Sequence, residues 1–139
     1  NNFNLDIVKS KLVELLPICS PYYDKDAITD KSERFFVEEI IREKILTHYK
    51  KEIPYSVEVD VEEFFEEKEI TKIRAVIYVM RESQKGIIIG HKGMGLKRIG
   101  SEARKDIEKM LEKKVFLETP VKLKKNWRNN KKELKKFGY

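Results

Sequence analysis

The sequence is poor in cysteine and proline: Cys19 is its only thiol, and four prolines are spread over 139 residues. A lone cysteine excludes an intrachain disulfide, has no paired metal ligands, and fits a reducing compartment. No run approaches eighteen apolar residues, so no membrane-spanning helix is expected. The first residues are neither basic nor followed by an apolar block, so no secretory leader is expected. The sequences of nucleotide chemistry are also missing. There is no G-x-x-x-x-G-K-[ST], and Gly90, Gly93 and Gly95 give G-x-x-G-x-G, the wrong order for a dinucleotide fingerprint. His48 and His91 stand apart, without metal-ligand spacing. Adjacent carboxylates such as Glu38–Glu39 and Glu62–Glu63 point apart on a helix or strand, so they read as solvated charge rather than an acid–base pair. No catalytic residue and no metal site is expected.

What is abundant is charge, and it is unevenly placed. The net charge is +6. From Ser83 onward there are 17 Lys and Arg against 6 Asp and Glu, whereas the first 82 residues hold 13 against 18. A strongly basic half is the electrostatic footprint of a polyanionic partner.

That half also contains Ile87-Ile88-Ile89-Gly90-His91-Lys92-Gly93. Two glycines three apart let the backbone bend sharply and approach a ligand closely. The helix expected from about Met94 turns its free N–H groups toward the loop, which favours an anion. Lys92 adds a full positive charge, and the isoleucines offer an apolar wall for bases. Residues Leu96, Ile99, Ala103, Ile107, Met110 and Leu111 lie on one face of that long helix. A strand, a short apolar helix, a glycine loop and a long amphipathic helix form the sequence pattern of a KH-type RNA clamp.

Residues 1–16 read as a short amphipathic helix, with Leu5, Val8, Leu12, Leu15 and Leu16 on one side, and Pro17 to Tyr23 as linker. A second helix is expected over about Ser32 to Lys50, capped by Asp30 or Ser32, with Phe36, Ile40, Ile41 and Ile45 as its buried stripe. Val57, Val59 and Val61 alternate as a first strand whose acidic side faces solvent, and Ile73, Ala75, Ile77 and Val79 as a second (Ile70 to Met80). Val115, Leu117, Val121 and Leu123 form a third, with an edge position or bulge at Pro120. Asn129 or Asn130 caps a last basic helix ending at Gly138. The fold class is α+β, a three-stranded sheet with helices packed on one face.

Several motifs together resemble the bacterial Era GTPase family. They are Tyr22-Tyr23-Asp24-Lys25-Asp26-Ala27-Ile28-Thr29-Asp30-Lys31-Ser32-Glu33-Arg34-Phe35, Glu39-Ile40-Ile41-Arg42-Glu43-Lys44-Ile45 and Glu52-Ile53-Pro54-Tyr55-Ser56-Val57. GHKGMGLKRIG from Gly90 to Gly100, Glu102 to Ile107, and Lys122 to Trp127 continue the likeness in the family's order. The resemblance implies a KH domain of the second type over 31–126, a linker over 17–30, and a basic helix or tail over 127–139. It implies that 1–16 is the last helix of a truncated GTPase domain, in which GTP and Mg2+ would bind; no cofactor is expected in this chain. It also implies single-stranded RNA from the 3′ end of small-subunit (16S) ribosomal RNA and the small ribosomal subunit as partners, in ribosome assembly. A cytoplasmic location, peripheral contact with an anionic membrane surface and a monomeric state complete the expectation. Two positions depart from the family. His91 replaces the more familiar Asn or Arg. Gly95 replaces Lys or another long polar residue, removing a phosphate contact and costing the helix roughly 0.5–1 kcal/mol relative to Ala.

The expected RNA contacts are the loop Gly90, His91, Lys92 and Gly93; Ile88, Ile89 and Val79 lining a groove for about four bases; and Met94, Lys97 and Arg98 at its border. Ile88 leans toward the core. Lys122, Lys124 and Lys125 would hold a neighbouring RNA helix or the 3′ side of the strand. Trp127 either stacks on a base or anchors the tail, the tail being favoured. The alternative function is a protein- or membrane-interaction domain that uses the basic face.

Overall fold

The computed structural model describes residues 4–19 and 31–137. The linker motif from Tyr22 to Asp30 and the helix end at Gly138 lie outside them. Two compact units are present, one up to Asp30 and one from Lys31 onward. In the first, α1 (Leu5–Leu15) carries Leu5, Val8, Leu12 and Leu15 at helical spacing and buries none of its residues.

In the second unit, α2 (Glu33–His48) starts at Ser32, whose hydroxyl accepts from the Phe35 N–H at 3.4 Å. Its buried stripe is Val37, Ile41 and Ile45, at i, i+4 and i+8. Phe36 and Ile40, expected in that stripe, flank it half-buried, and Phe36 instead meets the Phe35 ring edge-on.

After a turn at Pro54–Ser56, β1 (Val57–Glu66) and β2 (Ile70–Val79) pair antiparallel, from Val57↔Val79 to Glu66↔Thr71. A bulge between Val61 and Glu63 shifts the register. At that point α2 closes the open edge of β1. The Glu38 carboxylate accepts from the Val61 N–H, and Arg34 donates to the Val61 carbonyl, both at 2.9 Å. An edge strand whose backbone groups are taken up this way is a poor template for unwanted pairing. The acidic side of β1 does not simply face solvent as expected: Glu58 is 1% exposed and held by Arg42 at 2.5 Å. A carboxylate buried beside the helix needs that guanidinium partner.

α3 (Glu82–Ile89), the turn His91–Gly93 and α4 (Met94–Leu111) follow. The expected third strand is broken into β3 (Lys114–Glu118) and β4 (Val121–Leu123), both parallel to β2. The break falls at Thr119–Pro120. Pro120 has no N–H to give a ladder, but its carbonyl accepts from the Ile77 N–H at 2.9 Å and keeps the path in register. The sheet is thus four strands in a three-strand width, with α2, α3 and α4 sharing one core with its front face. Ile73, Ala75, Ile77 and Val79 of β2 meet Ile99, Ala103 and Ile107 of α4 there.

On the back of the sheet lies the C-terminal tail. Trp127 is buried, and Phe137 packs at 5.4 Å from it and 5.6 Å from Tyr78. Trp127 therefore anchors the tail rather than awaiting a base. Asn130 caps α5 (Lys131–Lys136), accepting from the Lys132 N–H at 3.0 Å.

Candidate nucleic-acid interface

The glycine loop is held rigidly at both ends. At the start of α3 the buried Gln84 side chain accepts from the backbone N–H groups of Met80 and Arg81, both at 3.0 Å. This fixes where the helix leaves β2. At its end Gly90 adopts φ +69°, and a Cβ there would lie 3.0 Å from the backbone nitrogen of Gly95. Gly93 adopts φ +77°. Between them Lys92 is in the left-handed region at φ +49°, a conformation that costs an L residue on the order of 1 kcal/mol. The turn presents both His91 and Lys92 to solvent.

α4 then begins with neither a side-chain cap nor an acidic residue in its first turn. The N–H groups of Gly93 and Met94 close the turn onto the Gly90 and His91 carbonyls, and the partial positive charge of the N-terminus points into the loop, where it favours a phosphate.

Gly95 has a structural role that the sequence comparison with the family's longer residue hides. A Cβ at that position would sit 2.8 Å from both the Ile88 carbonyl and the Tyr49 hydroxyl. The Tyr49 hydroxyl donates to the Ile88 carbonyl at 2.8 Å, joining the C-terminal end of α2 to the last turn of α3. Burial pushes the Tyr49 phenol up, so it remains a neutral donor. Gly95 is thus a close-packing position on which the loop's framing depends, and its helix penalty is offset by that contact.

Beside the loop, α4 and the β3–β4 strand path enclose an open groove of about 380 Å³. Leu96 and Leu117 line it with apolar surface, Lys97 and Arg104 with positive charge, and Gly100 and Thr119 leave it open. Arg104 also donates to Glu108 at 2.8 Å. Arg98 is tied along the helix to Glu102 at 3.3 Å, and the same carboxylate lies 2.5 Å from the His48 Nε2. The hydrogen bond from His48, then Arg98, holds the Glu102 carboxyl below its usual value. His48 is therefore a satisfied contact between α2 and α4.

Of the expected contacts, Gly93 and Lys97 line the groove; Gly90, His91, Lys92 and Met94 adjoin it in the turn and the helix start, and half-buried Ile89 ends α3. Met94 is 63% exposed at the helix start. Arg98 is exposed on the same helix turn as Lys97. Val79 and Ile88, expected to line the groove, have no exposed surface; they are core residues that support it from below. Lys122 and Lys124 point to the back of the sheet. Lys122 is 3.0 Å from Glu62. Lys124 pairs with Glu133 and lies over the rings of Tyr78 and Phe137. The strand period of two explains this placement: Val121 and Leu123 take the core face, so Lys122 must take the other. Lys125 is exposed beyond β4.

Sequence reasoning missed Leu96, Gly100, Ser101, Arg104, Leu117 and Thr119, which complete the groove. A helical row from Gly93 through Lys97 and Gly100 to Arg104 was there to be read. The strand side was not, because it depends on the register of β3.

A family model for the KH domain matches residues 52–128. The chain belongs to the KH domain family. Among curated proteins it is 49% identical over 140 residues to the GTPase Era of Thermoanaerobacter sp. (strain X514), covering 99% of this chain and 46% of that protein. It is 45% identical over 135 residues to the GTPase Era of Xylella fastidiosa (strain Temecula1), covering 97% and 45%. The chain thus spans about half the length of these relatives. Among solved structures, a substituted form of Aquifex aeolicus Era bound to GDP and aluminium fluoride superposes with a TM-score of 0.90 at 37% identity, covering 98% of this chain and 46% of that one. Era in complex with MgGDPNP and nucleotides 1506–1542 of 16S ribosomal RNA gives 0.91, with the same identity and coverage.

Proposed function

We propose that this chain is the RNA-binding module of an Era-like GTPase and that it grips single-stranded RNA from the 3′ end of small-subunit ribosomal RNA during assembly of that subunit. The observation that carries the reading is the uncapped N-terminus of α4 behind the Gly90–Gly93 turn, opening onto a groove lined by Lys97 and Arg104. The similar Era structure holding 16S ribosomal RNA supports the choice of ligand. The positive end of α4, with the His91 and Lys92 side chains, holds phosphates. Ile89, Met94, Lys97 and Arg98 border the bases, about four in number.

The module itself carries out no catalysis and holds no cofactor. GTP and Mg2+ belong to the portion of a longer protein that this chain does not span. The protein works in the cytoplasm as a monomer, and its basic C-terminal half gives it a peripheral attraction to anionic membrane surfaces. Fluorescence anisotropy with a labelled ribosomal 3′ strand and a scrambled strand of equal length tests the reading. Tighter binding to the ribosomal strand is expected, with a log–log salt slope of about −0.7 per phosphate neutralised. No binding at moderate salt would overturn it in favour of a protein-interaction domain.

A further inference from the structure

Among the described residues, the C-terminal tail does not cover the outer half of the sheet's back face, which carries an aromatic pair. Cross-strand register sets Phe65 of β1, Lys72 of β2 and Phe116 of β3 in one row. The next row is Glu63, Arg74 and Glu118. The two phenylalanines are 59% and 54% exposed, and with Lys72 and Arg74 between them they line a slot of about 200 Å³. The core does not require this exposure, since Phe64 and Ile73 already supply the front face in these rows.

We propose that this slot is a second single-stranded RNA surface, on which bases flanking those in the clamp stack. This rests on the RNA-binding reading above. The first support is continuity. β3 is an edge strand, and its residues alternate between two surfaces: Leu117 lines the clamp groove, while Phe116 and Glu118 line the slot. A strand leaving the groove around that edge arrives at Phe116. The second support is length. The RNA in the similar Era complex spans nucleotides 1506–1542, several times what a glycine-loop clamp covers. The third is chemistry. Exposed aromatics on a sheet are stacking platforms for unpaired bases. Glu63 and Glu118 at the rim accept from exocyclic amino groups, so the slot favours adenine and cytosine over uracil.

Charge contributes little here. Lys72 is paired with Glu67 at 2.7 Å, and the Arg74 Nε lies 3.9 Å from Glu62. The slot adds affinity by stacking and leaves the salt slope set by the clamp.

The experiment compares a clamp-length RNA with strands extended on either side by adenine or cytosine, the extended strands carrying 2-aminopurine in the extension. The extended strand is expected to bind more tightly, with its probe quenched. Phe65→Ala with Phe116→Ala should remove that gain, roughly tenfold for each stacked base, and the quenching with it. Affinity for the short strand, the salt slope and the melt should not change, and Phe65→Tyr with Phe116→Tyr should restore the gain. An extended strand that binds no better than the short one, or a double Ala variant that keeps the gain, would overturn the slot and leave the clamp standing. Failure of the short strand to bind would instead fault the clamp itself.

Discussion

At the scale of single residues, the clamp depends on what is missing from Gly95. The helix α4 approaches α3 so closely that the Tyr49 hydroxyl and the Ile88 carbonyl occupy the space a side chain would need. Gly95→Ala should therefore cost about 1–3 kcal/mol by overpacking and weaken RNA binding further by shifting the loop. Tyr49→Phe should cost about 1 kcal/mol for the lost hydrogen bond. The double variant should lose less than the sum, because removing the hydroxyl relieves one of the two clashes. Melts and binding of the three variants check this, and strict additivity would mean that the two residues do not meet. The sequence marked position 95 as unusual but assigned it only a lost phosphate contact and a helix penalty. Its real role depends on a contact with Tyr49, 46 positions away, and no local pattern reveals such a contact. His91 and Lys92 were more legible, because two glycines three apart allow a sharp turn, and the strand, short helix and long helix around them pointed to one that exposes what lies between.

At the scale of elements, α2 and α4 were legible because each buries one stripe against the sheet, and β1 and β2 because their core-facing residues alternate, even though β2 is buried on both faces from Ala75 to Val79. The third strand was legible as alternation, and Pro120 as its weak point, but not as two strands. Alternation with Val121 and Leu123 already puts Lys122 on the back of the sheet, but the parallel pairing of β3 and β4 with β2 was not legible, because a strand's own pattern does not say which neighbour it joins. The turn from α4 into β3 also contains a titratable brace. Glu108 accepts from the Val115 N–H at 3.1 Å, and chiefly this, with nearby Arg104, holds its carboxyl below the usual value. Glu62 is lowered in the same way by Lys122 and Tyr78. A carboxylate with a lower pKa folded than unfolded stabilises the fold above its unfolded pKa. That contribution is lost as pH falls through the folded value. Thermal stability should thus drop as pH falls below the ordinary glutamate value of 4.5. Glu38, raised by burial, acts in the opposite direction. Glu108→Gln should shallow the acid limb while lowering stability at neutral pH; acid limbs of equal slope would show that the brace carries no weight.

At the scale of the whole molecule, the basic excess after Ser83 and the acidic balance before it predicted a polyanion partner, and the fold explains how the charge is deployed. The glycine loop, Lys97 and Arg104 gather at one groove, while much of the remaining positive charge is spent within the protein. Lys44 pairs with Asp106 between α2 and α4, Lys113 with Glu66, and Lys122 with Glu62. The count of lysines and arginines alone therefore overstates the cations free to meet a polyanion; even Arg104 in the groove is shared with Glu108, so the proposed affinity rests on geometry at the loop. The measurement that tests this most directly sets wild type beside His91→Asp with Lys92→Asp, following RNA affinity and the circular-dichroism melt together. Both side chains are exposed, so the variant is expected to lose binding to the ribosomal 3′ strand while its melt stays within a degree or two of wild type, about the effect of surface substitutions. Retained binding, or a melt that collapses along with it, would contradict a clamp built on this loop.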